Sequence, residues 1–233
     1  DDRKTPSEKI ARGLLEDVLF TTDNRNSGII ITTFSSHIAR LKTISEFGRR
    51  MNREVVFFGR SLIKYMTAAK NCGMASFAKN VRLISYRRQM EKMLQKINSH
   101  KEKYLVVCTG HQGAPGSILD RIARRQFPLQ VAREHHIIFS SKTIPAPVNI
   151  ANKENMDKRF RKAGIRIFDN VHVSGHAGRE DLRDLISILN PQNIIPSHGS
   201  TQQLSPMIEL AREMGYHSGR ECHLMQDGQR LRL

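Results

Sequence analysis

Short apolar runs of strand length alternate along the chain with amphipathic stretches of helix length. Four runs are continuous and rich in β-branched or aromatic residues, which is typical of strands covered on both faces: 28–34, 54–59, 104–108 and 134–141. We expect the first two to pair in parallel, because segments of helical spacing follow each of them. This order of elements predicts an α/β fold with a mainly parallel sheet and flanking helices.

The segments between and after these runs show the spacing of helices. Ser35 or Ser36 is expected to cap a helix that ends near 51. The basic stretch 81–97 is predicted to be one helix whose charge faces water. Further helices are predicted from 117, and over 154–163, 179–189 and 205–214. Short strands are predicted over 166–168, 171–174 and 193–196, and a hairpin-like ending over 226–229.

The chain is strongly basic. It carries 38 Lys and Arg against 22 Asp and Glu, a formal net charge of +16. A charge of this size and sign attracts polyanions, so nucleic acid is the leading partner. A solvated basic surface without a specific partner stays open, because net charge does not say where the charge lies.

Cysteine usage and hydropathy narrow the class of protein. Cys72, Cys108 and Cys222 are widely spaced and contain no C-x-x-C, so neither a disulfide framework nor a zinc knuckle is indicated. The cytoplasm fits this pattern best. No run approaches the ~20 apolar residues of a membrane span, so no membrane partner is expected.

Three histidines lie in two glycine-bearing turns, 171–178 and 196–199, each between an apolar run and a helical segment. In an α/β fold this placement puts side chains at the carboxyl ends of strands, where active sites collect. His172, Ser174 and His176 alternate in an extended stretch and therefore share a face that can hold an anionic oxygen. His198 joins them if its strand is a neighbour. A purely structural role for each histidine stays open.

Motifs in a fixed order carry a more specific signal. They are TFSSHIAR at 33–40, FGRS at 58–61, TGHQGAPG at 109–116, FSSKTIP at 139–145, and the pair SGHA at 174–177 and PSHG at 196–199. Over essentially the whole chain they resemble the ribonuclease J branch of the β-CASP metallo-β-lactamase-fold nucleases, with the archaeal type most similar. The resemblance implies a Rossmann-like β-CASP domain over 1–165. The C-terminal strands and helices of a metallo-β-lactamase αββα domain would follow over 166–233.

The resemblance also implies an activity, the hydrolysis of RNA phosphodiesters in RNA processing or decay, with two Zn²⁺ ions that activate water. It favours a 5′-to-3′ exoribonuclease, with internal cleavage in some members. His198 matches a zinc ligand, and His176 matches the catalytic histidine that contacts the scissile phosphate. His172 and Ser174 match phosphate contacts. The other positions implied to touch RNA or line its channel are Ser35, Ser36, Arg60, Lys142 and the loop 110–116.

The sequence departs from the family in its metal ligands. The H-x-H-x-D-H motif, the later histidine and aspartate ligands and the acidic motif A are absent. A catalytic zinc site uses about three protein ligands, of which His198 would be one. We therefore expect a C-terminal fragment that is inactive and zinc-free alone, with RNA and the missing N-terminal lactamase half as partners. A homodimer is also expected, because the family often dimerises.

Other classes of function remain open. A non-catalytic RNA-binding module would use the same basic surface and histidines without hydrolysis. A nucleotide-binding α/β domain would cradle a phosphate in 110–116, but that loop lacks the G-x-x-x-x-G-K-[ST] pattern. In the DNA nucleases of the family the position of His198 is typically Val, so His198 favours RNA.

Overall fold

The computed structural model describes residues 4–232. Within this range the chain forms two compact units. The larger unit is Pro6–Val173, and the smaller unit comprises Lys4, Thr5 and the residues from Ser174 onward.

Six parallel strands form the sheet of the larger unit, in the order β3-β2-β4-β1-β5-β6. They are β1 Gly28–Thr32, β2 Glu54–Phe58, β3 Val81–Ile84, β4 Tyr104–Cys108, β5 His135–Phe139 and β6 Arg166–Phe168. The predicted α/β class with a mainly parallel sheet is confirmed. Because all strands run the same way, the loops that follow them meet at one end of the sheet.

Helices cover both faces of this sheet. They are α1 Glu8–Thr21, α2 Ile38–Arg50, α3 Arg60–Asn71, α4 Arg87–Ser99, α5 Ile118–Ala123 and α6 Pro147–Lys162. Ile29 and Ile31 of β1 pack with the buried side chains of α1, α2 and α3, whereas Ile30 packs with those of α4, α5 and α6. Two buried faces explain why the central strands are continuously apolar.

The prediction of one helix over 81–97 is wrong. Val81–Ile84 is the edge strand β3, paired with β2, and α4 begins at Arg87. An edge strand has a neighbouring strand on one side only, and part of its surface is exposed to solvent. Polar residues therefore alternate irregularly with apolar ones, and the resulting pattern resembles that of an amphipathic helix. Arg82 points to the surface and forms a 2.6 Å ion pair with Glu54 of β2.

The expected direct pairing of the first two strands is also wrong. β1 and β2 are parallel, but β4 lies between them and pairs with both. The cap of α2 differs too, because His37 takes that position and its Nδ1 accepts a 3.2 Å hydrogen bond from the Arg40 N–H. Helix α6 begins at Pro147 and not at 154, since proline is well suited to the first helical turn.

The smaller unit contains α7 Arg179–Leu189 and α8 Thr201–Glu213, packed around Ile186, Ile194 and Leu210. Helix α7 has the predicted bounds, whereas α8 begins four residues before the predicted 205 because Ser200 and Gln203 cap its first turn. The predicted strand at 193–196 is only one bridge, between Ile194 and Cys222.

Two further predicted extended segments do not form strands. Residues 171–174 join no ladder, because the Val171 carbonyl accepts from the Ser140 hydroxyl instead. The ending over 226–229 is a turn without flanking strands. The domain boundary expected at 165 stays a prediction, although β6, just beyond it, belongs to the sheet of the larger unit. None of the helices in residues 4–232 combines the length and apolar character that a membrane span requires.

Candidate functional site

A groove lies at the carboxyl ends of β1 and β4 in the larger unit. We call it the β1–β4 groove; its cavity volume is about 400 Å³, and it is lined in part by Ser35, Ser36, Ser61, His111 and Ser117. The Ser35 and Ser36 hydroxyls make no hydrogen bond to other described residues, because His37 caps α2. Both hydroxyls therefore remain available to a ligand.

The loop that follows β4 is held in place by close backbone packing. Gly113 has φ +70°, and a Cβ there would lie 2.5 Å from backbone atoms of Asn152 and Lys153 in α6. The Gln112 side chain donates to the Lys142 carbonyl at 3.2 Å and accepts from the Ile144 N–H at 2.9 Å. These contacts tie the loop after β4 to the loop after β5, and Lys142 emerges beside them with its side chain exposed.

His111 is the titratable group of the β1–β4 groove. Its ring packs edge-on against Phe34 with centroids 4.2 Å apart, and both ring nitrogens are buried without a hydrogen-bond partner. Burial, assisted by the nearby charge of His172, lowers the pKa of His111 to about 4. The imidazole is therefore neutral at pH 7. Because both of its nitrogens are buried, the ring contributes to the packing of the groove wall.

A buried ion pair organises the loop ends beside this groove. Arg40 is 0% exposed, and its Nε and Nη2 bind both carboxylate oxygens of Glu8 at 2.6 and 2.8 Å. Its Nη1 donates to the hydroxyl and the carbonyl of Ser140 at 2.6 and 3.0 Å. The Ser140 hydroxyl donates in turn to the Val171 carbonyl at 2.9 Å. We call these four residues the Arg40 network; it joins the segments that follow β1, β5 and β6.

His172 follows the Arg40 network directly. The side chain is half-buried, and its Nδ1 is buried without a hydrogen-bond partner. Burial lowers the pKa of His172, and the positive charge of Arg40 lowers it further. Burial works to raise the pKa of Glu8, but the hydrogen bonds and charge of Arg40 outweigh it, so the net direction is down. Neutral imidazole and ionised carboxylate are thus the favoured forms.

The smaller unit brings Ser174, His176 and His198 together. The imidazoles of His176 and His198 stack with centroids 5.9 Å apart and planes 29° from parallel, and both are exposed. The Ser174 hydroxyl accepts a 3.1 Å hydrogen bond from the His176 N–H. His198 has φ +70°, a left-handed conformation that is uncommon for a residue with a side chain. The contact between the rings of His176 and His198 agrees with the expectation that these two histidines lie close together. The shared face expected for His172, Ser174 and His176, and the roles of all four residues, stay predictions.

The side chains of residues 4–232 do not fit a zinc centre. Within that range no three His, Cys, Asp or Glu side chains converge on a point where they could hold a metal ion. His198 has the ring of His176 as its neighbour. An imidazole can be one ligand of a zinc site, but about three are needed for a catalytic one.

Arg60 and Lys142 are both exposed at the carboxyl ends of strands, Arg60 in the first turn of α3 and Lys142 after β5. Neither forms an ion pair with another residue of the described part of the chain. The sequence did not single out His111, Glu8 or Arg40. His111 and Arg40 stand inside the motifs 109–116 and 33–40, but Glu8 lies outside every motif, and the burial of Arg40 leaves no signal in the sequence.

Comparison with known proteins agrees with the sequence motifs. The family model described as "Ribonuclease J, beta-CASP domain" matches residues 26–157, and that described as "Zn-dependent metallo-hydrolase RNA specificity domain" matches 163–224. Ribonuclease J of Methanocaldococcus jannaschii is 42% identical over 98% of this chain and 51% of its own length. Ribonuclease J of Pyrococcus abyssi is 40% identical over 98% of this chain and 50% of its own length. The chain thus spans about half the length of these curated relatives.

Proposed function

Because the chain belongs to the ribonuclease J β-CASP family, we propose that it binds single-stranded RNA and serves the hydrolysis of RNA phosphodiesters. The observation that carries the proposal is the β1–β4 groove, which lies inside the matched range 26–157. The free hydroxyls of Ser35 and Ser36 are donors of the kind that bind phosphate and sugar oxygens. Nucleases act on such a backbone without needing to read its bases.

Positive charge at the same end of the sheet supports this proposal. Arg60 and Lys142 are exposed cations without an acidic partner among residues 4–232. Binding of such cations to phosphates releases counterions from the nucleic acid, which favours association at moderate salt. The net charge of +16 raises the rate of encounter with RNA over the whole surface.

The exposed imidazoles would act on the phosphodiester itself. We propose that His176 contacts the scissile phosphate and donates a proton to the leaving oxygen, a role that suits an imidazole. Ser174 and His172 would hold non-bridging oxygens as hydrogen-bond donors. The roles of His176 and Ser174 rest on the resemblance of 174–177 to the family's motif B and on the exposure of these two side chains. The role of His172, which is half-buried, rests on the resemblance alone.

Only membership of the family supports a role for zinc. His198 would be one ligand of a bound zinc ion, which would supply the activation of water. The further ligands would have to come from sequence that the relatives have and this chain does not span, since the described residues do not fit a zinc centre. We therefore propose that the 233-residue chain binds RNA without hydrolysing it. A 5′-to-3′ exoribonuclease, with internal cleavage as the alternative, is the proposed activity of the longer protein, and cytoplasmic location and homodimer formation stay predictions.

Fluorescence anisotropy with a 3′-labelled, 5′-monophosphorylated single-stranded RNA tests the binding half of the proposal. The double variant Arg60→Gln, Lys142→Gln should weaken binding and flatten the salt dependence by about 0.7 per lost phosphate contact. The control, Arg133→Gln with Lys162→Gln, removes two exposed cations at the amino end of the strands and lowers net charge equally. If both double variants weaken binding equally, RNA binding depends only on the net charge of the chain and not on the groove. If the unaltered chain does not bind RNA, the proposal is overturned.

A hydrolysis assay tests the other half. The 233-residue chain and a longer polypeptide that includes the remaining length of the relatives are incubated with the same RNA, with and without added Zn²⁺. We expect cleavage by the longer polypeptide only, and its loss in the His176→Ala variant. Zinc-dependent cleavage by the 233-residue chain would show that the missing ligands are not needed. Cleavage that persists in His176→Ala would remove the proposed role of that imidazole.

A further inference from the structure

A second groove lies beside the first, at the carboxyl ends of β2 and β3. We call it the β2–β3 groove; its cavity volume is about 620 Å³, and its polar and apolar lining includes Arg60, Tyr86, Met90, Arg121 and Phe127. Ser61, Thr109 and Ser117 line both grooves. One continuous path therefore crosses the carboxyl ends of β1, β4, β2 and β3.

Tyr86 stands at the rim of the β2–β3 groove as an exposed aromatic platform. The side chain is 74% exposed and makes no ring contact with the described residues, although it immediately precedes α4. The Tyr86 side chain forms no capping hydrogen bond with α4, so the start of the helix does not depend on the position of the ring. A ring held at the base of a helix and left open on its face is suited to stacking on a planar ligand.

Three arginines surround this platform. Arg60, Arg87 and Arg121 line the same groove. The Arg121 guanidinium packs against the Phe127 ring, 4.2 Å from its centroid. Arg87 pairs with Glu91 at 2.8 Å, whereas Arg60 and Arg121 have no acidic partner among the described residues, so the groove keeps excess positive charge. An aromatic face among cations is the arrangement with which proteins bind single-stranded nucleic acids, because bases stack while phosphates pair with the cations.

We propose that the β2–β3 groove is a second nucleotide-binding subsite, in which Tyr86 stacks on an RNA base and Arg60, Arg87 and Arg121 hold the adjacent phosphates. The proposal rests on the proposed function, because it takes single-stranded RNA as the ligand of the first groove. The proposal also gives the direction in which the RNA runs across the sheet. From the β1–β4 groove the RNA passes over the ends of β4 and β2 and reaches the edge of the sheet at β3.

The sheet order sets the length of RNA that the second subsite requires. β1 and β3 are three strand positions apart, which at ~4.8 Å per position is about 14 Å. At a rise of about 3.4 Å per stacked nucleotide, roughly four nucleotides span that distance. A short RNA seated in the β1–β4 groove does not reach Tyr86, whereas a longer one does.

Binding of RNAs of different length tests the second subsite. With a 12-nucleotide RNA we expect Tyr86→Ala to weaken binding by about 5-fold or more, the loss found when a stacking aromatic is truncated, and Tyr86→Phe to retain affinity. With a 3-nucleotide RNA all three proteins should bind alike. Arg87→Gln should weaken binding of the long RNA, and Arg88→Gln, an exposed neighbour in α4 that does not line the groove, should not.

Fluorescence gives an independent readout. The chain has no tryptophan, so a Tyr86→Trp variant carries a single reporter, and stacking of a base should quench it as the 12-nucleotide RNA binds. Equal affinity of Tyr86→Ala and the unaltered chain for the long RNA, or an unquenched reporter in the bound complex, would overturn the second subsite alone. Failure of the unaltered chain to bind either RNA would instead overturn the proposed function.

Discussion

Replacing Arg40 with methionine tests whether the Arg40 network holds the loop ends of the larger unit. Methionine keeps much of the apolar stem but removes both guanidinium hydrogen bonds from the Glu8 carboxylate, which keeps only His37 at 3.5 Å among the described residues. The Ser140 carbonyl loses one of its donors and keeps the Thr33 hydroxyl at 2.9 Å. Breaking a buried ion pair in this way typically costs about 3–5 kcal/mol. Because Glu8 keeps 31% side-chain exposure and recovers some hydration, we expect the lower part of that range. A loss of ~3 kcal/mol corresponds to about 6–12 °C in Tm for a protein of this size.

Urea unfolding followed by far-ultraviolet circular dichroism measures this loss. Arg40→Lys retains the charge but cannot bind both oxygens of Glu8 and Ser140 together, so we expect a smaller but clear loss. Arg49→Met, at an exposed position of the same helix, is the matched control and should stay within about 0.5 kcal/mol of the unaltered chain. The reasoning is refuted if Arg40→Met loses less than about 1 kcal/mol, or if Arg49→Met loses as much.

Two further predictions concern the loop after β4. Gly113→Ala forces a Cβ against the α6 backbone and should cost about 1–3 kcal/mol more than Gly116→Ala, which shares a left-handed φ but meets no atom within 4 Å; equal urea midpoints would contradict this packing. Because the folded pKa of His111 is about 4 against 6.5 unfolded, the unfolded chain binds more protons between these values. Stability should therefore fall by up to ~3 kcal/mol as pH drops from 6.5 to 4. His111→Asn should weaken this dependence without abolishing it, because burial also lowers the pKa of His135, His136 and His172. The exposed-site control His100→Asn should keep the full dependence, and an unchanged pH profile in His111→Asn would count against the assigned burial.

The central strands were predictable because burial on both faces leaves a simple trace in the sequence. β1 and β4 are continuous, fully buried runs of mainly apolar residues, and their bounds agree with the predicted ones to within a few residues. β3 was missed because one face and one side of an edge strand are open, which admits Arg82 and disguises the period. The strand order was not predictable, since a crossover that places β4 between β1 and β2 depends on helix packing far along the chain.

The candidate site divides in the same way. We expected His176 and His198 to lie close together because each follows a short apolar run in a glycine-bearing turn, a local signal. Their rings do stack, although the strands expected before these turns do not form. The Arg40 network was invisible from the sequence, because Arg40 joins Glu8, 32 residues before it, to Ser140, 100 residues after it. Hydrogen bonds between residues so far apart in the sequence depend on the tertiary fold, and the periodicity of the sequence does not predict them.

Photo-crosslinking of a 4-thiouridine-containing single-stranded RNA to the chain, followed by mass spectrometry of the linked peptides, tests the central claim most directly. The claim predicts linked residues in the loops at the carboxyl ends of the strands, within 33–36, 59–61, 109–117 and 140–143. The opposite end of the sheet is also basic, with exposed Arg125 and Lys162. Crosslinks confined to 124–133 and 158–164 would contradict the account, because RNA would then bind the charge of the chain and not its grooves.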